Sequence, residues 1–284
     1  MNIIRFKGGL GNQMFQYAFG YAMAMRGKNV KYSTGFYRRH TEMRQFELAR
    51  VFPHLNIPQI SDKEFEDREN IWENLKKSNE YYAEVDYREK KLFYIEKGHS
   101  EFDDDVWNYD DCVYVGYWQS EKYFADIANQ IKYLYSFRIK ESALLELSNT
   151  INNRFYGVHI RRGDYLNSVH EVCDIDYYIS AMNYIKESDS NARFIFFSDD
   201  SKWINEQSFV TEKDIIQSDI GYGHYCDWYD MFLMTKCKGN IISNSSFSWW
   251  GAWLAENDGI VIAPSRWYKY DAAPDIYLNG WVLI

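Results

Sequence analysis

Residues 157–165 of this 284-residue chain read Gly-Val-His-Ile-Arg-Arg-Gly-Asp-Tyr. The apolar start predicts a buried strand, and Arg161, Arg162 and Asp164 follow at its carboxyl end. In an open α/β sheet, ligands bind in the crevice beyond the carboxyl ends of the strands. Arginine suits a phosphate because its planar fork offers parallel donors and keeps its charge. The stretch therefore predicts a phosphate or pyrophosphate site, with an ordinary surface ion pair as the alternative.

Strands and helices are predicted to alternate along the rest of the chain. We expect strands at 2–6, 30–33, 112–117, 156–160, 193–197, 215–216, 240–243 and 259–263, and helices at 12–26, 121–135, 141–152, 176–187, 227–237 and 246–255. This order favours an α/β protein, and polar residues after each later strand are typical of a doubly wound domain. We expect two domains, at 1–150 and 151–284, with the helix at 141–152 linking them.

Composition excludes several classes of function. The net charge of −9 argues against a nucleic acid or a broad anionic surface as partner. Aromatic residues make up 19% of the chain, which fits a sugar or nucleobase site as well as a core. No stretch approaches the roughly 20 apolar residues of a membrane helix, and the amino terminus does not resemble a signal peptide. The four cysteines lack zinc-binding spacing, so we expect a cytoplasmic protein with reduced thiols.

A glycine-rich turn, residues 8–11, joins the first strand to the first helix. Glycines let a backbone approach a ligand, and the helix start offers N–H groups to an anion. The spacing differs from GxGxxG and no acidic residue ends the second strand at Ser33, which argues against a nicotinamide cofactor. The turn is either simply packed against the sheet or part of a site. Asn12 and Gln13 favour a site, because an amide donates to phosphate and accepts from a sugar hydroxyl.

Residues 198–200, Ser-Asp-Asp, follow another predicted strand. An aspartate there is placed to accept hydrogen bonds from a ribose or from the N1–H and amine of guanine. The alternative is that Ser198 or Asp199 caps the next helix, and one residue can cap while another binds.

Residues 243–251, Ser-Asn-Ser-Ser-Phe-Ser-Trp-Trp-Gly, cross a predicted junction of strand and helix. Small donors at a helix start suit a diphosphate. Tryptophans are more often core residues than ligand contacts, so we assign binding to the serines and leave the tryptophans to the core.

Five blocks in this chain resemble, in order, the bacterial α-1,2-fucosyltransferases: 8–18, 116–120, 159–165, 197–200 and 244–251. The arginine block also occurs in α-1,6- and protein O-fucosyltransferases, so alone it indicates only the use of GDP-fucose. The resemblance implies two Rossmann-like domains facing across a cleft, the arrangement called GT-B. The first domain would serve mainly the acceptor and the second would bind GDP-fucose. No metal is implied, and we interpret the acidic triplet at 103–105 as a solvated turn or helix start.

Residue roles follow from the same resemblance. Arg161 would stabilise the departing GDP, with Arg162 in support and a serine-lined turn contacting the pyrophosphate. His159 and one of Asp199 and Asp200 would contact the guanosine. The full GDP-fucose site implied is Gly9, Gly11, Asn12, His159, Arg161, Arg162, Ser198, Asp199, Asp200, Asn244, Ser245, Ser246, Phe247 and Ser248. A general base is expected among Asp164, His170 and Glu171, and the sequence does not choose; Asp164 is equally suited to hold the arginines.

The implied reaction is inverting transfer of L-fucose from GDP-β-L-fucose to the 2-hydroxyl of a terminal galactose, with no cofactor beyond the donor substrate. The expected acceptor is a galactose-terminated oligosaccharide or a lipid-linked glycan of lipopolysaccharide or O-antigen. A lipid-linked acceptor would add peripheral contact with the inner face of the membrane. Two alternatives stay open: a GDP-fucose enzyme of another linkage, such as α-1,6, and a non-catalytic sugar-nucleotide or glycan-binding protein. The paired arginines and the serine cluster favour an enzyme.

Overall fold

The computed structural model describes residues 1–40, 45–61, 63, 93–98, 100–216, 228–270 and 275–284. It divides into two compact units, Met1–Leu134 and Tyr135–Ile284. The division falls earlier than the boundary expected near residue 150. The reason is that the predicted linking helix, observed at Ser142–Ile151, buries Leu144 and Ile151 and packs within the second unit.

The first unit is built on a parallel sheet. Its described strands are β1 (Asn2–Arg5), β2 (Val30–Ser33), β3 (Phe93–Ile95) and β4 (Val113–Val115). Its described α-helices are α1 (Leu10–Met25), α2 (Gly35–Arg39), α3 (Leu48–Val51) and α4 (Ala128–Leu134). The order across the sheet is β2-β1-β4-β3, so the chain first moves outward from β1 and later returns beside it. This change of direction between β1 and β4 is a topological switch point.

The second unit is also built on a parallel sheet. Its described strands are β5 (Tyr156–Ile160), β6 (Phe194–Ser198), β7 (Ile215–Ile216), β8 (Gly239–Ile241), β9 (Val261–Ala263) and β10 (Val282–Leu283). Its described α-helices are α5 (Ser142–Ile151), α6 (Ile175–Ser188), α7 (Ser201–Asn205), α8 (Trp228–Met234) and α9 (Ser246–Trp253). The order β10-β9-β8-β5-β6-β7 is the Rossmann order of strands, and it reverses between β5 and β8.

Many of the aromatic residues fill the cores. In the first unit, Phe19 stacks on Trp118 with ring centroids 4.2 Å apart. In the second unit, Trp249 and Trp250 are fully buried and meet edge to face at 4.9 Å. The interpretation of these tryptophans as core residues is confirmed. The aromatic excess is therefore largely a packing feature, since such rings bury large apolar areas.

The helix predicted at 121–135 is interrupted in the structure. Glu121–Tyr123 and Ala125–Ile127 form separate 3₁₀ turns, and α4 begins only afterwards. Phe124 lies between the turns with φ −140°, outside the helical region, and its side chain is fully buried. Burial of its side chain outweighs continuation of the helix.

The predicted α/β class is confirmed, because each unit carries a parallel sheet with helical crossovers. The facing of the two units across a cleft stays a prediction. Sequence patterns missed the short elements α2, α3, β3 and β10. No helix in the described part of the chain is both long and apolar enough to span a membrane.

Candidate functional site

The switch point of the second sheet brings predicted site residues to one edge. β5 and β8 lie side by side, and β6 is on the other side of β5. The arginine block follows β5, the 198–200 block ends β6, and the serine block follows β8. In open α/β sheets this edge is where ligands bind, because loops leaving adjacent strands in opposite directions leave a crevice.

Arg161 is held in one orientation by two carboxylates. Its Nε and Nη2 donate to Asp164 Oδ1 at 2.8 and 2.7 Å, and its Nη1 donates to Asp199 Oδ2 at 3.0 Å. Burial by itself would lower the pKa of Arg161, but the charges of Asp199 and Asp164 raise that pKa above its usual value. The side chain is 20% exposed, so the guanidinium is both permanently charged and partly open to a ligand.

Asp199 shapes the turn that carries the arginines. Besides pairing with Arg161, its two oxygens accept hydrogen bonds from the backbone amides of Arg162 at 2.9 Å and Gly163 at 3.1 Å. A Cβ on Gly163 would lie only 2.7 Å from Asp199 Oδ2, so the turn closes tightly on the carboxylate. The oxygens predicted to contact guanosine are thus engaged in the turn itself, which gives Asp199 a supporting position.

Arg162 packs on a residue that the sequence did not point to. Its guanidinium lies 4.0 Å from the ring centroid of Trp203, and its Nε donates to Asp200 Oδ2 at 3.1 Å. Asp200 also caps α7, because its Oδ1 accepts from the Trp203 amide. The alternative that Ser198 or Asp199 caps this helix is therefore wrong, because the N-cap of α7 is Asp200. The Ser198 hydroxyl instead accepts from the Asp200 amide at 3.0 Å.

His159 connects β5 to the serine block. Its Nδ1 lies 2.8 Å from Ser243 Oγ, and its ring stacks on Phe247 with centroids 5.5 Å apart. Burial, followed by the nearby charge of Arg161, lowers the pKa of His159 to about 3. The imidazole is therefore neutral at physiological pH and meets a ligand only as an uncharged group. Ser243 was not among the predicted site residues, although it begins the quoted serine block.

The serine block divides into supporting and exposed positions. Ser245 caps α9 through a bond from the Phe247 amide at 3.3 Å. Ser248 is fully buried, and its hydroxyl donates to the carbonyls of Ser243 and Ser245. This inward placement puts Ser248 beneath the turn and not at its surface, contrary to the expected pyrophosphate contact. Ser246 and Phe247 are half-buried at the helix start, where a ligand can reach them.

Asn244 ties together the segments around this turn. Its Nδ2 donates to the carbonyls of His170 at 2.9 Å and Trp267 at 2.8 Å, and the side chain is almost fully buried. Tyr165 donates from its hydroxyl to the Asn244 carbonyl at 3.3 Å. Both amide hydrogens are used inside the protein, so Asn244 holds the loop after the arginines and does not project toward a donor.

The three candidate bases occupy different surroundings. Asp164 is paired with Arg161, as described above, and its carboxylate is 61% exposed. The ring of His170 stacks on Tyr165 with centroids 5.1 Å apart. Glu171 accepts a hydrogen bond from the Asn167 amide at 3.0 Å. None of these contacts selects one residue as the base, so the choice remains open.

The glycine turn of the first unit is tightly packed, and Asn12 next to it is partly exposed. Gly8 has φ +84°, and a Cβ placed there would lie 2.5 Å from Asn12 Nδ2. Gln13 does not face a ligand as expected, because it is fully buried and its Nε2 donates to the Gly8 and Gln45 carbonyls. Gly9 is the N-cap of α1 with no side-chain cap, and Gly11 is buried in its first turn. Asn12 is half-buried and thus reaches the surface of that turn.

The acidic triplet of the first unit starts a helix, as interpreted from sequence. Asp103 caps the 3₁₀ helix Asp104–Asn108 by accepting from the Asp105 amide, and it pairs with Lys97 at 2.8 Å. Lys97 and the hydrogen-bonding hydroxyl of Tyr94 lower the pKa of Asp103 against the opposing effect of burial. Across the described residues, no group of three or more His, Cys, Asp and Glu side chains is placed to hold a metal ion.

A doubly wound sheet whose switch point carries a fixed arginine and an open helix start is an α/β arrangement suited to a phosphate-bearing ligand. Glycosyl transferase family 11 matches residues 1–284. The chain belongs to this family and is a glycosyltransferase, which confirms the resemblance described from the sequence blocks.

Individual relatives agree with this assignment. The chain is 34% identical over 308 residues to an alpha-1,2-colitosyltransferase of Escherichia coli, covering 98% of each. It is 30% identical over 315 residues to the E. coli O-antigen biosynthesis glycosyltransferase WbnK, covering 97% of each. A human galactoside alpha-(1,2)-fucosyltransferase 1 is 30% identical over 138 residues, 45% of this chain and 38% of that protein.

Among solved structures, the NodZ alpha-1,6-fucosyltransferase soaked with GDP-fucose is similar to the chain with a TM-score of 0.44 and 13% sequence identity. The similarity covers 89% of this chain and 92% of that one.

Proposed function

We propose that the chain transfers L-fucose from GDP-β-L-fucose to the 2-hydroxyl of a terminal galactose, with inversion at the anomeric carbon. The observation that carries the proposal is the placement of Arg161 and the Ser246 helix start after the adjacent strands β5 and β8. Two contacts of His159, with Ser243 and Phe247, link the two loops directly. A sugar diphosphate fits this edge, because it needs a positive charge and N–H donors together.

Arg161 supplies the largest share of the proposed catalysis. As the glycosidic bond breaks, negative charge develops on the diphosphate of the departing GDP. A guanidinium fixed beforehand by Asp164 and Asp199 stabilises this charge without having to reorganise during the reaction. The start of α9 adds N–H donors at the same edge, and these interactions strengthen as the charge grows.

A general base is proposed for the acceptor hydroxyl, whose proton must leave as the new bond forms. Asp164, His170 and Glu171 remain the three candidates. Asp164 already neutralises Arg161, so its use as a base would couple proton uptake to the arginine position. Separate substitution of the three residues is therefore informative only when GDP affinity is measured alongside turnover.

The donor substrate is proposed to need no metal ion. A metal in such reactions neutralises the diphosphate, and here a permanently charged guanidinium and a helix start occupy the same edge of the sheet. The proposed acceptor is a galactose-terminated oligosaccharide or lipid-linked glycan. We propose that the reaction takes place in the cytoplasm, or at the inner face of the membrane where the acceptor is lipid-linked.

Transfer of colitose is a second candidate, favoured by the full-length similarity to the E. coli alpha-1,2-colitosyltransferase. Colitose differs from L-fucose by the missing hydroxyl at carbon 3. The same diphosphate-binding residues would serve either sugar, so the choice depends on contacts to that one hydroxyl. GDP-fucose and GDP-colitose are therefore to be compared as donors under identical conditions.

The deciding experiment is product analysis with purified protein, lactose and each donor in EDTA, with and without added Mg²⁺. A 2′-linked fucosyl product in EDTA supports the donor, the linkage and metal independence together. Release of free fucose and GDP without transfer points to a different acceptor. A colitosyl product alone selects the second candidate, and complete inertness without calorimetric GDP binding overturns the proposed reaction.

A further inference from the structure

At the switch point of the first sheet, two side chains from the first two turns of α1, just after the glycine turn, form hydrogen bonds to the loop after β4. This loop is the segment Gly116–Gln119, here called the β4 loop. Gln16 donates from Nε2 to the Gly116 carbonyl at 2.9 Å. Gln119 donates from Nε2 to Asn12 Oδ1 at 2.7 Å. The β4 loop therefore fixes the orientation of Asn12, the half-buried residue at the start of α1.

Glu96, which directly follows β3, holds the β4 loop from the neighbouring strand. Its carboxylate accepts from the Tyr117 amide at 2.6 Å and from the Trp118 amide at 2.8 Å. A Cβ on Gly116 would lie 2.5 Å from Glu96 Cβ, so the loop is closed around this side chain. Trp118 has φ +58°, a conformation that costs a bulky residue about 1–3 kcal/mol and persists only when its surroundings enforce it.

Burial of Glu96 removes water from its carboxylate, which disfavours the charged form of the side chain. Burial raises the pKa of Glu96 to about 7, even though the amides of Tyr117, Trp118 and Gln119 lower it in part. A neutral side chain would avoid this desolvation, so the carboxylate is suited to a task that needs two strong acceptor oxygens. That task is to hold the two successive amides of the β4 loop.

The contacts continue from the loop to the surface. Ser100 donates to Gln119 Oε1 at 3.3 Å, which fixes the Gln119 amide with its nitrogen toward Asn12. Because Asn12 Oδ1 accepts from Gln119, the Asn12 side chain is left to offer its Nδ2 hydrogens at the glycine turn. An N–H group there is matched to an oxygen of the substrate, either a phosphate oxygen of the donor or a hydroxyl of the acceptor.

We propose that Glu96 is a positioning residue for substrate binding, acting through the β4 loop and Gln119 on Asn12. The inference rests on the proposed function, because it requires a sugar substrate with oxygens at the edge of the first sheet. Nothing in the sequence pattern marks Glu96, since it lies next to a strand that the pattern did not predict.

The kinetic test uses Glu96→Ala, Glu96→Gln and, as a matched control, the exposed glutamate variant Glu101→Gln. Loss of one ordered hydrogen bond corresponds to about a tenfold rise in KM. We expect that rise for one substrate in Glu96→Ala, with a smaller change in kcat and an unchanged Tm; GDP affinity falls with it only where the affected substrate is the donor. Glu96→Gln keeps one acceptor oxygen and should recover part of the loss, while the control stays at the wild-type value. The substrate whose KM rises, donor or acceptor, is the one that Asn12 contacts.

A second measurement separates positioning from general destabilisation. In an Asn12→Ala background the KM effect of Glu96→Ala should largely disappear, because both changes remove the same contact. Additive effects, or a loss of GDP affinity in step with a lowered Tm, would overturn the proposal. So would values of KM within twofold of wild type in Glu96→Ala.

Hydrogen exchange tests the loop without turnover. The amides of Tyr117 and Trp118 should exchange at least about tenfold faster in Glu96→Ala, with residues 243–248 unchanged. Unchanged exchange at the β4 loop overturns the positioning role. This readout also separates the two proposals, because wild-type protein that transfers no sugar counts against the proposed function alone.

Discussion

Asp199 pairs with Arg161 across 3.0 Å while the same carboxylate closes the turn in which the arginine block ends. One side chain therefore fixes both the charge that would face a diphosphate and the backbone that carries this charge. A surface ion pair would have no such double role. The arrangement favours the interpretation of the block as a binding site over the alternative of a solvated pair.

Asp199→Asn should weaken GDP binding by about tenfold, because loss of one charge-assisted hydrogen bond and its orientation corresponds to about 1.5 kcal/mol or more. The new amide also turns an N–H group toward backbone amides that need an acceptor. Calorimetric titration with GDP measures the affinity. Asp189→Asn is the matched control, since Asp189 pairs with Lys238 outside the site. Equal GDP affinity in both variants would contradict the supporting position of Asp199.

Arg161→Lys should lower kcat by about 10²–10³ while the protein stays folded, because lysine keeps the charge but loses the planar fork. Steady-state kinetics with the active donor measures the effect, and thermal unfolding checks the fold. Arg154→Lys is the control, as Arg154 is an exposed arginine of the same unit. Turnover near the wild-type level in Arg161→Lys would remove the proposed role in stabilising the departing diphosphate.

Ser246 and Ser248, both in the first turn of α9, are expected to have different roles. Ser246 contributes to donor binding and Ser248 to the stability of the fold. Ser248→Ala removes a buried hydroxyl that donates to two carbonyls, so it should lower the free energy of unfolding by about 1–2 kcal/mol. Ser246→Ala removes a half-buried hydroxyl and should instead raise the KM of the donor with little effect on stability. Chemical denaturation and kinetics on both variants make the comparison. The reverse outcome, with Ser248 governing KM, would restore the original expectation for that residue.

Sequence patterns predicted the sheets well where strands are long and buried on both faces. β5 is buried along its whole length and β6 is buried as far as Ser198, and their ends carry the polar blocks that a parallel sheet collects at one edge. The same reasoning gave the arginines and the helix start at the serine block. β3 and β10, with three and two residues, escaped prediction, whereas the equally short β7 was predicted at its pair of isoleucines.

Residue type alone did not separate surface positions from supporting ones. Asn244 and Ser248 have the chemistry of ligand contacts, but their hydrogen bonds are directed to backbone carbonyls. Trp203 and Ser243 were missed because each acts through a neighbour, the one by packing on Arg162 and the other by bonding to His159. Such roles depend on which residues at the ends of different strands lie close together. The amino-acid sequence around a single residue does not give these distances.

His159 provides a prediction for the pH dependence of stability. Burial and the charge of Arg161 lower the pKa of His159 in the folded protein to about 3, from the usual histidine value of about 6.5. The unfolded chain therefore takes up a proton at higher pH than the folded protein does. Stability from the neutral histidine is present above pH 6.5 and is lost as the pH falls toward 3, by about 2–3 kcal/mol at pH 4.5.

Denaturant unfolding of wild type and His159→Asn between pH 7 and pH 4.5 tests this sign. Both proteins carry the same carboxylates, so the effects of carboxylate protonation largely cancel in the difference between their free energies of unfolding. This difference should shrink as the pH falls, because the wild type loses the contribution of the neutral histidine whereas asparagine does not titrate. A difference that stays constant would mean that the pKa of His159 is the same in the folded and the unfolded protein, so that the imidazole takes up its proton between pH 7 and pH 4.5 in both. Burial beside Arg161 would then not disfavour the imidazolium, and the neutral contact proposed for His159 would be lost below about pH 6.5.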